Sequence, residues 1–83
     1  MPENTRVAVI SIVVENPECV TAINGILHDY SDYIIGRMGI PYREKNISII
    51  SVVIDAEPDV INMVSGKLGR IDGATVKTAC SKK

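Results

Sequence analysis

The sequence predicts a single α+β domain of βαββαβ order, and three observations predict it: a chain of 83 residues, an internal repeat, and Val/Ile-rich runs that alternate with helical stripes. Eighty-three residues make one domain, spanning 1–83, and a domain this short buries only roughly 60 to 65% of the surface its unfolded chain exposes. Hydrophobic residues reach 46% with no Trp and no Phe. Val and Ile dominate instead, and β-branched side chains fit half-buried pleated surfaces better than helices.

The repeat begins at Ile10 and again at Ile50. Ile10-Ser11-Ile12-Val13-Val14-Glu15 is answered by Ile50-Ser51-Val52-Val53-Ile54-Asp55, and Pro17-Glu18 by Pro58-Asp59. Val20, Ile23, Leu27 and Tyr30 then recur as Ile61, Val64, Leu68 and Ile71. Intervals of three, four and three make one stripe of an α-helix. Gly25 has its counterpart in Gly66.

Each unit reads as strand, turn, helix, strand. Proline at the first helical position loses no hydrogen bond, and its fixed φ suits a helix start. Asn16 is a good cap, and Glu18 and Asp59 put negative charge where the helix dipole favours it. Both helices are thus expected to start near residues 17 and 58. The second strand is expected over 33–42, the hairpin turn within Arg43-Glu44-Lys45-Asn46, and the last strand over 74–80 after a helix exit at Gly73. Right-handed crossovers turn this order into a ferredoxin-like two-layer sandwich, an antiparallel sheet of order 4-1-3-2 with two helices on one face.

The other face then needs explaining. Val7, Val9 and Val13 alternate with Ala8, Ile10, Ile12 and Val14, and Ile47, Ile49 and Val53 with Ile50, Val52 and Ile54. Strands apolar on both sides are buried on both sides. No third helix supplies cover, so a homo-oligomer through the sheet face is expected.

Charge and cysteine use bound the function. Nine basic and ten acidic side chains give a formal net charge of −1, without the positive field that drives non-specific nucleic-acid binding. Direct nucleic-acid binding is not expected, since the strands also lack the aromatic side chains on which bases stack. Arg6 is the one basic residue up to Gly36. The other eight follow it, a distribution that suits either solvated surface or an anionic partner. Two cysteines, Cys19 and Cys80, without CxxC or an apolar leader, read as free thiols of a cytoplasmic chain. Apolar runs of about eight residues fall far short of the ~20 of a spanning helix, so no membrane partner is expected.

The string His28-Asp29-Tyr30-Ser31, then Ile35-Gly36-Arg37-Met38-Gly39-Ile40-Pro41-Tyr42, then Ser65-Gly66-Lys67-Leu68-Gly69-Arg70-Ile71 with Val76-Lys77, resembles the small regulators of iron-only hydrogenase systems. The resemblance covers nearly the whole chain. It implies an ACT-like domain, similar to the C-terminal domain of nickel-responsive regulators, with a regulatory role and no catalytic residues to carry over. Two departures stand out. ACT domains that bind amino acids often place glycine in the turn after the first strand, where this chain has Glu15-Asn16-Pro17, and nickel regulators carry a separate DNA-binding segment.

Candidate site residues are few. Ser65-Gly66-Lys67 lacks the glycine and the Ser/Thr of a phosphate loop, so Gly66 and Gly69 are expected to allow close packing late in a helix. His28, near the end of the first helix, can sense pH, bind an anion or sit at the surface as a dipole-stabilising charge. Ser31 follows it, and Arg37 interrupts an apolar edge strand, where charge also discourages wrong pairing. His28, Ser31 and Arg37 are therefore the candidate ligand contacts, for a small molecule or a protein partner. No catalytic residue, metal site or cofactor is expected. The competing reading is an acylphosphatase-like hydrolase on the same fold. It needs an arginine in the first turn, and Glu15-Asn16-Pro17 offers none.

Overall fold

The structure is a computed structural model that describes residues 4–82. Strand β1 (Arg6–Val14) leads through a short 3-10 turn at Pro17–Cys19 into helix α1 (Val20–Asp29). A second 3-10 turn, Ser31–Tyr33, opens β2 (Ile34–Tyr42), and a third, Arg43–Lys45, joins β2 to β3 (Ile47–Ala56). Helix α2 (Pro58–Gly69) and β4 (Ala74–Cys80) complete the chain. All sheet pairings are antiparallel and the order is β2-β3-β1-β4, the expected order read from the other edge.

The two helix starts differ although their sequences match. In the second unit Pro58 begins α2 directly, and the Glu57 carbonyl accepts the N–H groups of Val60 and Ile61. In the first unit the Asn16 side chain accepts the Glu18 N–H at 3.0 Å, and Pro17–Cys19 form a tighter 3-10 turn before the α-helix is established. Helix α1 thus begins at Val20, three residues beyond the start expected from Pro17. The hairpin closes where expected: Asn46 takes a left-handed conformation, φ 54 and ψ 41, and donates its N–H to the Arg43 carbonyl. Asparagine tolerates that region better than most residues do.

The core lies between the sheet and the helices. Ala8, Ile10, Ile12 and Val14 of β1 and Ile50, Val52, Ile54 and Ala56 of β3 meet Ile23 and Leu27 of α1 and Ile61, Val64 and Leu68 of α2. Fully burying an aliphatic side chain of this size is worth about 1.5–3 kcal/mol. The repeated stripe seen in sequence is therefore the core itself. The close packing expected at Gly66 and Gly69 is corrected: a side chain added at Gly69 would meet nothing within 4 Å. At Gly66 the nearest group is the flexible Arg70 guanidinium.

Candidate functional site

The strand register sorts every sheet residue onto one of two faces. Since Ile10 pairs with Val52 and Ile12 with Ile50, the alternate residues Val7, Val9, Ser11 and Val13 share the outer face with Asp55, Val53, Ser51 and Ile49. On β2, Met38, Ile40 and Tyr42 lie opposite Ser51, Ile49 and Ile47 and join them there. On β4, Thr75, Lys77 and Ala79 lie opposite Val13, Ser11 and Val9. The described residues put no element over this face.

Its apolar side is lopsided. Met38, Ile40 and Tyr42 on the β2 edge are 59%, 51% and 48% exposed, whereas the helix-facing Ile10 and Ile12 are fully buried. Ile47, Ile49 and Val53 are half-buried beside them, and Val7 and Val9 exposed. A register break between Ile34 and Gly36 leaves Ile35 without a partner on β3, and it is also largely exposed. The β4 edge carries the polar groups instead, and there the Thr75 hydroxyl donates to the Glu15 carboxylate at 2.8 Å.

Across the middle runs the row Met38, Ser51, Ser11, Lys77. Ser11 and Ser51 are equivalent positions of the repeat and also direct cross-strand partners. The domain's internal pseudo-twofold therefore passes between them, at the centre of the face. The repeat contains this juxtaposition, but only the β1–β3 register turns two serines forty positions apart into neighbours.

The three residues singled out from sequence all lie on the α1–β2 side. His28 sits exposed in the last turn of α1, and Ser31 exposed in the 3-10 turn that follows. Arg37 lies opposite Val52, which places it on the helix side of the edge strand, where its guanidinium donates to the Asn24 Oδ1 at 2.6 Å. Asn24 and His28 are four residues apart and share a stripe of α1. Arg37 is thus tied to the α1 stripe that also carries His28, with Asn24 as the residue that sequence reading missed. Its signal was the i, i+4 spacing to His28. No hydrogen bond joins Ser31 to either.

Two concavities mark the ends of the sheet. One, of about 350 Å³, is lined by Thr5, Asp32, Tyr33, Asp55, Glu57 and Val60. Its three carboxylates make it hostile to anions. The other is small and lies against the hairpin, between Pro17, Pro41, Tyr42 and Arg43. Above α1, Lys67 lies 5.2 Å from the Tyr30 ring centroid, a cation–π contact that ties α2 to the end of α1.

The turn after β1 is closed from within. The Gly73 carbonyl accepts the N–H groups of Glu15 and Asn16 at 2.7 and 3.0 Å, with the Cys19 Sγ at 3.6 Å. Backbone donors that would cradle a phosphate in this turn are already taken. Cys19 and Cys80 are both free thiols, one buried near the start of β4 and the other exposed at its end. Among the described residues no cluster of three or more His, Cys, Asp or Glu is placed to hold a metal ion, and no helix is long and apolar enough to cross a membrane.

Fold and site together define a small ferredoxin-like α+β domain with an uncovered apolar sheet face. The chain belongs to the TM1266-like family, described as "Iron-only hydrogenase system regulator, putative", whose model matches residues 6–78. It is similar to the uncharacterized protein TM1266 from Thermotoga maritima, with 39% identity and a TM-score of 0.89 over 94% of this chain and 99% of that one. The C-terminal domain of the MgtC protein from Mycobacterium tuberculosis shares the fold, at 12% identity and a TM-score of 0.69 over 99% of this chain and 94% of that one. No curated protein matches the chain.

Proposed function

We propose that this chain is a non-catalytic, ACT-like regulatory domain of an iron-only hydrogenase or related system, that it works in the cytoplasm as a homo-oligomer, and that a second copy covers its outer sheet face. The apolar face carries the proposal. On it Met38, Ile40 and Tyr42 are each about half exposed, whereas Ile10 and Ile12 on the covered face are fully buried, and a contiguous apolar patch of this kind marks an interaction surface.

Ligand response belongs to the α1–β2 side, around Arg37 and Asn24. Arg37 uses one of five N–H donors on Asn24, and the others are available to an anionic group that His28 and Ser31 approach from the end of α1. The occupied backbone donors of the Glu15-Asn16-Pro17 turn speak against an acylphosphatase-like reaction there.

Light scattering on the purified chain tests the assembly, with a mass at least twice 9.0 kDa expected at micromolar concentration. A monomer would remove the reading. Native mass spectrometry of protein taken directly from cells tests the ligand, and an added mass that Arg37→Ala abolishes is the expected result.

A further inference from the structure

We infer that the Ser11–Ser51–Lys77 row is an anion-binding site completed between two copies of the chain, a step that rests on the sheet-face assembly proposed above. The row is the one polar band in the middle of an apolar face. Val9, Val53 and Ala79 lie on one side of it, and Val13, Ile49 and Ile40 on the other.

These groups are unspent, unlike Thr75 and Thr78, and the other unbonded sheet serine, Ser48, lies opposite the buried Val14 on the helix side. Thr75 is bonded to Glu15, and Thr78 shares a 2.7 Å hydrogen bond with Ser65. Among the described residues, neither serine hydroxyl nor the Lys77 ammonium has a hydrogen-bond or ion-pair partner. In the free chain water serves them. Under a second copy water is excluded, and each unmatched hydroxyl then costs about 1–3 kcal/mol, an unmatched ammonium more.

Symmetry decides where these groups meet. The serine pair lies on the internal pseudo-twofold, so a face-to-face dimer centred on the sheet places Ser11 and Ser51 against the same two residues of its copy. This holds whether the true twofold runs along the strands or across them. Lys77 stands one strand away, ~4.8 Å from Ser11 in the pairing direction, and its four-carbon stem is long enough to reach back over the row. Four hydroxyls and two ammonium groups then converge in a low-dielectric layer. The repeat would put a symmetric partner for Lys77 on β2, but Met38 stands there, so positive charge enters from one edge only.

The hydroxyls can pair with one another, but two ammonium groups without a counter-ion call for a compact anion with several oxygens, a carboxylate or an oxyanion, to which the hydroxyls also donate. Such an anion binds the dimer and not the monomer. It therefore strengthens assembly by mass action, and assembly in turn strengthens its binding. The face becomes a sensor whose output is oligomeric state.

Sedimentation of the intact chain in inorganic phosphate, in acetate and in chloride at equal ionic strength tests this. The expected result is a dimer dissociation constant at least about tenfold lower in phosphate or acetate than in chloride. Lys77→Met is expected to remain dimeric and lose the difference, because a methionine at that point matches Met38 and needs no counter-ion. Which of the two anions acts separates oxyanion from carboxylate recognition. A wild-type dimer indifferent to all three salts, or a Lys77→Met dimer with the same anion response, overturns the site and leaves the assembly standing. A wild-type monomer overturns both.

Discussion

A methyl group placed on Gly73 would lie 2.7 Å from the Asn16 Cβ, closer than side chains approach, and Gly73 also has φ +92, a backbone conformation that L side chains rarely adopt. The same residue's carbonyl holds the N–H groups of Glu15 and Asn16. The start of β4 is thereby fastened to the end of β1, and the first helix starts from that junction.

Gly73→Ala is expected to lose about 2–3 kcal/mol, from the left-handed backbone and the clash together. For a domain of this size that lowers Tm by about 10–20 °C. Thermal denaturation followed by circular dichroism reads it. Combining the change with Asn16→Gly relieves the clash but not the backbone strain, so the double variant should recover only part of the loss.

Asn46 answers differently, because it is left-handed but open to solvent at the hairpin. Asn46→Gly is expected to leave stability within about 0.5 kcal/mol of the parent, while Asn46→Val loses about 1–2 kcal/mol. Equal stability of the valine and glycine variants in urea titration would contradict the turn.

Truncation of the shared core tests the repeat as a physical unit. Ile23→Ala in α1 and Val64→Ala in α2 remove repeat-equivalent side chains buried against the same sheet face. About 2–5 kcal/mol is expected for the isoleucine and less for the valine, which removes fewer methyl groups. With so thin a margin, the isoleucine variant is expected to be largely unfolded at 37 °C.

On the outer face, Ile49→Asp is expected to abolish assembly while leaving the helix-facing core intact, since Ile49 points away from it. Size-exclusion chromatography should show a folded monomer with the parent's far-ultraviolet spectrum. An oligomer that survives the aspartate would place the interface elsewhere.

Arg37→Ala removes an exposed hydrogen bond to Asn24 and should cost under about 1 kcal/mol. Loss of ligand without loss of Tm is the expected signature of a binding role.

Much of the fold was legible before any coordinates. The prolines at 17 and 58, the three-four-three stripe and the asparagine-bearing hairpin are local signals, and each element formed within a few residues of its expected place. The exception was the start of α1. The Gly73 carbonyl takes the N–H groups of Glu15 and Asn16 and the Asn16 side chain takes that of Glu18, and Gly73 arrives from far along the chain. A motif read in isolation cannot contain that contact. The expected close packing at Gly66 and Gly69 failed for a related reason: glycine marks both close approach and mere permissiveness, and only neighbours tell them apart.

The sequence by itself determined the βαββαβ order, the strand faces and the membership of the core, because a period of two or of 3.6 residues is written along the chain. Tertiary structure decided which side chains became neighbours: Asn24 under Arg37, Asn16 against Gly73, and Ser11 beside Ser51 with Lys77 at the end of their row. Sites are made of such long-range pairs, and register and crossover, not periodicity, bring them together.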